Sequence, residues 1–413
     1  MLKYFLVLFA LLVAALWYSS AATAQVPAWQ NVSPPGVSVD FNNPPNNYGF
    51  QSIAVDPTHP GTVYVGTNYQ GIRKSIDYGN TWVRIDQPFQ GPCGNNGFNE
   101  GRNWAMAVDQ QGSVYSVNGY GCTAGLFKSV NGGVNWSQIL PFPGPIIDVN
   151  RLAVDPYLPG HLLVSAHSNH NCPDVCDTPV GESFNYGLTW QYTAPIPGSG
   201  WGQWVFFLNN SSTWLVEAQD HGYFRTTNSG ASWTKVSNFA PTHGNAELIK
   251  VGAAWYSGAN DGVLRSTDDG QTWSLVWNDG TADGIYTVAA DPTGRLYTRS
   301  SNTGNPTTGP LPMKTSADGL TWTNYSSQLF NNGPMSCDKD AQYIYCSLWL
   351  AGVWRLPISG SPPPTAVPAT ATVVPPSATA TPVLPTPTPV AVPCYEAYFQ
   401  GNVLKQGNAR PCP

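Results

Sequence analysis

An all-β fold, a seven-bladed β-propeller of four-stranded antiparallel blades over about residues 25–360, is predicted by three observations on this 413-residue chain. An eight-residue phrase recurs six times, a Gly-apolar-x-Lys/Arg strand can be counted seven times, and the N-terminus offers the strand that six phrases leave missing. The phrase is Ser75-Ile-Asp77-Tyr-Gly79-Asn-Thr81-Trp82, then Ser129 to Trp136, Ser183 to Trp190, Thr226 to Trp233 and Ser266 to Trp273. A sixth copy, Thr315-Ser-Ala317-Asp-Gly319-Leu-Thr321-Trp322, lacks its acid at the usual place.

Each phrase sits in a longer unit. In the first, Ser52-Ile-Ala-Val-Asp56-Pro, Thr62-Val-Tyr-Val-Gly66, Gly71-Ile-Arg-Lys-Ser75 and Thr81-Trp-Val-Arg-Ile85 are short β-rich runs separated by turn formers. The Asp or Asn oxygen can accept backbone N–H groups two residues on, and the Gly tolerates positive φ. The Trp is large enough to fill the space between sheets. The seven third strands begin at Gly71, Gly125, near Gly181, Gly222, Gly262, near Lys314 and Gly352. Ala28-Trp29-Gln-Asn-Val32 resembles the strand that follows a phrase, so it is expected to close the ring and leave no free sheet edge.

The ends read differently. Residues 1–24 pair a lone Lys3 with an apolar run from Phe5 to Trp17 and an Ala22-Thr-Ala24 cleavage signal, the pattern of a secretory signal peptide. The expected location is extracellular, with no membrane span after cleavage. Residues 361–393 are almost wholly Pro, Thr, Ala, Val and Ser, which makes them an extended linker. Residues 394–413 form a short tail whose Cys394 and Cys412 can pair. Eight cysteines in an exported chain predict disulfides, with Cys93 near Cys122, Cys172 near Cys176, and Cys337 and Cys346 flanking a hairpin. His167-x-x-His170-x-Cys172-x-x-x-Cys176 also has metal-like spacing, but a loop disulfide is the stronger expectation and no cofactor is called for. Sparse charge and a net −6 argue against nucleic acid and favour neutral polar partners such as polysaccharide or extracellular glycoconjugate, with protein as a further class. The chain is expected to act as a monomer.

In such a blade the phrase turn and the turn after the first strand share one face. The opposite face collects the longer loops: Asp86 to Asn103, His167 to Gly181 and Pro195 to Gly202. Ligand-binding candidates there are Asn68, Tyr69, Trp201, Trp204 and Tyr286, with Trp104 either beside them or in the core. Rings stack on the apolar faces of sugars, and polar loops supply hydrogen bonds. Arg102, Arg151 and Arg299 would bind a carboxylate if they converged. Acid candidates are Glu217, Asp148 and Asp283, with Glu100, Asp220 and Asp261 behind them; each has a turn or solvated role as the plainer alternative.

The phrases at Ser75 and Ser266 resemble the Asp-box, or BNR repeat. That resemblance spans about residues 26–358 and implies a propeller. The Asp-box families include sialidases, xyloglucan-active endoglucanases, sortilin-type receptor domains and photosystem II assembly factors, so it does not fix an activity. The sialidase likeness implies an arginine triad imitated by Arg102, Arg151 and Arg299, with Glu217 and Tyr286 in support, but its Arg-Ile-Pro phrase is absent. Gly66-Thr67-Asn68-Tyr69-Gln70-Gly71-Ile72-Arg73 resembles the segment carrying the xyloglucanase general base. Asn68 holds the base's position, and an amide cannot accept the proton. Such enzymes also place two carboxylates across a cleft between two propellers. The sequence therefore favours glycan or other ligand binding on the long-loop face, with a glycoside hydrolase and a protein-binding scaffold as alternatives.

Overall fold

The computed structural model describes residues 27–358 apart from 46, 87–100, 120–123, 141–146, 169–176, 201, 243–246, 281–283 and 302–308, and, separately, 394–400 and 403–410. The described residues of the larger unit form seven four-stranded antiparallel sheets and no helix, the propeller predicted above. No helix among them is long and apolar enough to cross a membrane. The smaller unit holds one hairpin, Cys394–Gln400 paired with Val403–Arg410.

Blade 1 runs Phe50–Val55, Val63–Thr67, Ile72–Ser75 and Val83–Arg84, in chain order from the axis outward. Its first two strands are buried throughout, because inner strands have neighbouring blades on both faces. Apolar clusters lie between blades: Phe50, Ile53 and Val63 of blade 1 pack with Tyr343, Tyr345 and Val353 of blade 7. Blade 7 contributes Pro334–Lys339, Tyr343–Leu348 and Gly352–Pro357, and its outer strand is Gln30–Asn31. Gln30 pairs Arg355 and Asn31 pairs Trp354, so the N-terminal segment closes the ring as expected.

The phrase is a hydrogen-bonded turn. Gly79 N–H donates to Ser75 Oγ at 2.8 Å, and Thr81 donates through N–H (2.8 Å) and Oγ1 (2.7 Å) to the Asp77 carboxylate. Tyr78 and Gly79 occupy the left-handed region at φ 64° and 89°; the same pair of positive φ values recurs at Tyr186–Gly187, Ser229–Gly230 and Asp269–Gly270. Burial alone would raise the Asp77 carboxyl, but the bonds from Thr81 and Ser75 outweigh it and hold the group below its ordinary range. The sixth copy corrects the sequence reading. Asp318 stands two residues after Ser316, as Asp77 does after Ser75, and accepts Leu320 N–H (2.9 Å) and Thr321 N–H (2.7 Å). The acid is present; one of the two left-handed residues has been deleted, leaving Gly319 alone at φ 73°.

The tryptophans tie blades together. Trp82, Trp136 and Trp190 each donate Nε1–H to a carbonyl in or just past the outer strand of the preceding blade, at Val32 O (2.8 Å), Ile85 O (2.9 Å) and Ile139 O (3.0 Å). Trp136→Phe keeps most of the ring but orphans Ile85 O, and a urea titration should find it about 1 kcal/mol less stable; an unchanged midpoint would mean the bond contributes nothing. A second theme, within single blades, is an Asp after the first strand bonded to a Tyr in the second: Tyr115 to Asp109, Tyr297 to Asp291 and Tyr345 to Asp340, each at 3.0 Å. In blade 3 the partner is His161, bridging Asp155 (2.6 Å) and Glu182 (3.0 Å) and stacked on Phe184. Cys337 and Cys346, directly opposed on adjacent strands, form a disulfide. Cys93, Cys122, Cys172, Cys176 and Cys412 lie outside the described residues, and of Cys394 only the backbone is described.

Candidate functional site

Two groups of side chains gather residues that the sequence singled out. The first lies on the long-loop face, where blades 7, 1 and 2 meet. Asn68 follows the second strand of blade 1 and bridges to Arg102 at the start of blade 2, while its N–H bonds Gly49 O at 2.9 Å. Tyr69 is held at φ 58°, its N–H on Gly101 O at 3.0 Å. A tyrosine in the left-handed region is strained, and such strain persists where surrounding structure fixes it. Here the fixing contact is Arg102, whose Nε–H donates to the Tyr69 hydroxyl at 3.1 Å.

The Arg102 guanidinium lies 4.5 Å from the Tyr48 ring centre and 5.8 Å from those of Tyr69 and Trp104. Tyr48 in turn packs on Trp349 (4.6 Å) and Phe41 (5.5 Å), and Trp349 stacks on Tyr286 at 6.4 Å. Tyr48, Tyr69 and Arg102 are half-buried, and Phe41 is 38% exposed, so the outer edge of this aromatic row meets solvent. Behind it Trp104, Trp349 and Tyr286 are buried supports. The segment before blade 1 is organised by Asn47, a buried amide that donates to the Ser38, Asp40 and Asn43 carbonyls and accepts Gly49 N–H at 2.8 Å. Gln70 clamps the same segment by two bonds to Ser38.

The second group lies nearer the axis. Arg151 Nη1 is 3.5 Å from Glu247 Oε1, and its guanidinium lies 4.9 Å from the Phe206 ring centre. Ser336 Oγ donates to Glu247 at 2.7 Å. Glu217, fully buried between blades 4 and 5, accepts Ser257 Oγ–H on Oε1 at 2.8 Å, while its Oε2 has no partner among the described residues. Burial, reinforced by the Glu247 charge, pushes the Glu217 carboxyl up to about 8 against the opposing pull of Ser257 and Arg151.

Several expectations need correction on placement. Trp204, at 2% exposed, packs with Phe206 and Leu248 and offers no stacking face, because inner-strand side chains are covered by the next blade. Tyr286 is buried behind Trp349, and the Asn68 side chain is buried beneath the row. The three arginines do not gather: Arg102 lies on the aromatic row, Arg151 on Glu247 and Phe206, and Arg299 is buried at 2% exposure. Tyr69 and Arg102 are brought together as ligand candidates. Trp201, Asp283 and Glu100 lie outside the described residues, and of Asp148 only the backbone, in Ile147–Val154, is described. Asp220 is a turn residue with φ 58°, and Asp261 lies in the turn before the strand Gly262–Ser266. Sequence reasoning missed Tyr48, Phe41 and Trp349, although the aromatic spacing in Phe41 to Phe50 was a signal.

No family model matches the chain. Among curated proteins it is 25% identical over 286 residues to xyloglucanase Xgh74A of Acetivibrio thermocellus, covering 56% of this chain and 33% of that protein. A xyloglucanase of Hypocrea jecorina is 25% identical over 284 residues, covering 61% and 33%. The chain thus spans about a third of the length of the curated relatives it matches. Among solved structures, the GH74 xyloglucanase of Xanthomonas campestris aligns with TM-score 0.57 and 17% identity, over 80% of this chain and 53% of that one. YCF48 from Cyanidioschyzon merolae gives 0.54 and 14% over 80% and 98%, and a catalytically inactive virginiamycin B lyase of Staphylococcus aureus with quinupristin gives 0.58 and 13% over 80% and 99%. At these identities the structures share a fold with this chain and nothing narrower.

Proposed function

We propose that the chain is an exported Asp-box propeller that binds polysaccharide on its long-loop face through Tyr48, Tyr69, Phe41 and Arg102, without cleaving it. The observation that carries this reading is the Arg102 guanidinium lodged among Tyr48, Tyr69 and Trp104, which fixes half-exposed rings at a solvent edge. Pre-fixed rings lose little freedom on binding, and their faces suit the C–H surfaces of pyranose rings. Similarity to xyloglucanases supports a β-glucan as the first ligand to try. Residues 1–24 act as the export signal, and residues 361–393 hold the propeller away from a surface or partner.

A hydrolase is the second reading, favoured by that same similarity, with acids drawn from Glu217, Asp148 and Asp283. Against it stands Asn68, a buried amide at the base's position. The test is calorimetric titration of the full chain with xyloglucan oligosaccharides, followed by a reducing-end assay on the polymer. Binding without new reducing ends is expected. Tyr48→Ala should weaken binding roughly three- to tenfold, taking about 1 kcal/mol for the lost stacking. Unchanged affinity in a folded variant would remove the loop-face assignment, and release of sugar would put the hydrolase first. No binding to any polysaccharide would move a protein-binding scaffold to the front.

A further inference from the structure

A cavity of about 450 Å³ runs between the first strands of six blades and reaches the turns after them at Pro156, Tyr157 and Leu208, the end opposite the aromatic row. That volume suits a small organic ligand. Its wall mixes polar groups with apolar side chains, Ile53, Met106, Leu152 and Phe206 among the larger of the latter. Four charged side chains reach it: Arg151, Glu247, Lys250 and Asp338.

Three of the four are already engaged. Arg151 and Glu247 face each other at 3.5 Å, and Ser336 adds a donor to Glu247. Lys250 donates its ammonium to Asn209 and lies 5.4 Å from the Trp255 ring centre. Asp338 differs. Its oxygens accept only backbone N–H groups, from Val55 at 2.8 Å and its own neighbour Lys339 at 2.8 Å. It makes no ion pair among the described residues, since the Lys339 ammonium turns away to Ala290 O at 2.9 Å. Asp338 is thus a half-buried carboxylate held by backbone donors, with the Lys339 charge near it but bonded elsewhere, so its own charge is only partly compensated. A side pocket of about 100 Å³, lined in part by Ile249, Val288 and Ile344, also opens beside Asp338 and leaves room for a group to approach.

We propose that this cavity binds an organic cation: a primary ammonium seated at Asp338, with its apolar stem along Ile53, Met106, Leu152 and Phe206. An anion is disfavoured because Arg151 is occupied and two carboxylates face the space. A bare metal ion is disfavoured too, because the described residues form no group of three acidic, His or Cys ligands. An alkylammonium gains from both the charge and every methylene it buries.

The site is tested by calorimetry on the full chain with hexylamine, using hexanol as the neutral isostere and hexanoate as the anion. Hexylamine is expected to bind at least about tenfold more tightly than hexanol near neutral pH. Asp338→Asn should reduce that preference to about twofold. Burial raises the Asp338 carboxyl to about 6, so the preference in the wild type should also shrink about tenfold from about pH 7.5 to about pH 5. The charged groups facing it are Glu247, Lys339, Arg151 and Lys250, with Glu217 beyond Arg151. Glu247→Gln, which keeps Asp338, should preserve most of the preference and the pH dependence. Equal binding of hexylamine and hexanol overturns the proposal, as does hexanoate binding best, which would assign an anion site to Arg151. If Asp338→Asn does not fold, the wild-type pH pair decides, and a pH-independent preference sinks the idea.

Discussion

Replacing Trp29 with alanine is expected to destabilise the propeller by about 3–5 kcal/mol, the range for removing a buried tryptophan. Trp29 is buried at the point where the ring closes, edge-on to Tyr297 at 6.3 Å and to Phe330 at 6.4 Å. Its backbone is clamped by the Gln328 amide, which accepts Trp29 N–H at 3.2 Å and donates to Trp29 O at 3.0 Å. Tyr325 adds a bond to Pro27 O at 2.7 Å. Further along, Val32 N–H reaches Val353 O, and Val32 O accepts the Trp82 indole. One short segment therefore joins blade 6, blade 7 and blade 1. Loss of the indole loosens all three junctions, so the effect should exceed that of Trp136→Phe severalfold. Urea unfolding of the two variants side by side measures this. A Trp29→Ala loss near that of Trp136→Phe would mean that closure by the N-terminal strand is dispensable.

That closure was readable from the sequence because the phrase has a fixed grammar. A Thr-Trp-x-x-apolar strand with no phrase before it had only one place to go. The blade pattern was readable for the same reason: strand, turn and phrase each carry local chemistry that tertiary packing does not override. The sixth phrase shows the limit. Aligning on Gly319 and Trp322 hid Asp318, because the physical constraint is the Ser-to-Asp spacing and not the Asp-to-Gly spacing. Blade 3 shows another, since His161 takes the place of a tyrosine and recruits Glu182 as a second partner.

The candidate site was less legible. Tyr69 and Arg102, separate candidates on one face in the sequence, lie in contact in the structure, yet the ring packed on Arg102, Tyr48, belongs to a segment without repeats. Its position depends on Asn47, and one buried amide holding three carbonyls leaves no periodic trace in a sequence. Arg151 and Trp204 failed as loop-face residues for a geometric reason. An inner strand runs from the loop face into the axis, so a shift of one or two positions moves a side chain from the rim to the channel or the core.

Stability of the wild type is expected to fall as pH rises from about 4.5 to about 8, and Glu217→Gln is expected to remove most of that slope. The unfolded chain releases the Glu217 proton near its ordinary value of 4.5, whereas burial keeps it on the folded chain until about 8. Between those limits the unfolded state binds fewer protons, so stability drops by about 1.4 kcal/mol for each pH unit. The contribution is fully present below the lower limit and lost above the upper one, a difference on the order of 3–5 kcal/mol. Asp338, raised to about 6 by burial, adds a smaller slope of the same sign over a narrower window. Glutamine keeps an oxygen for Ser257 and cannot ionise, so the variant should match the wild type near pH 4.5 and exceed it near pH 8. Urea titrations at several pH values read this directly, and parallel curves for the two proteins would show that Glu217 is not held neutral. The same variant tests the role of this acid. A protein that gains stability at alkaline pH and still binds polysaccharide has a packing carboxyl between two blades. One that gains stability but loses release of sugar from xyloglucan has a catalytic group whose ionisation the fold suppresses for that purpose.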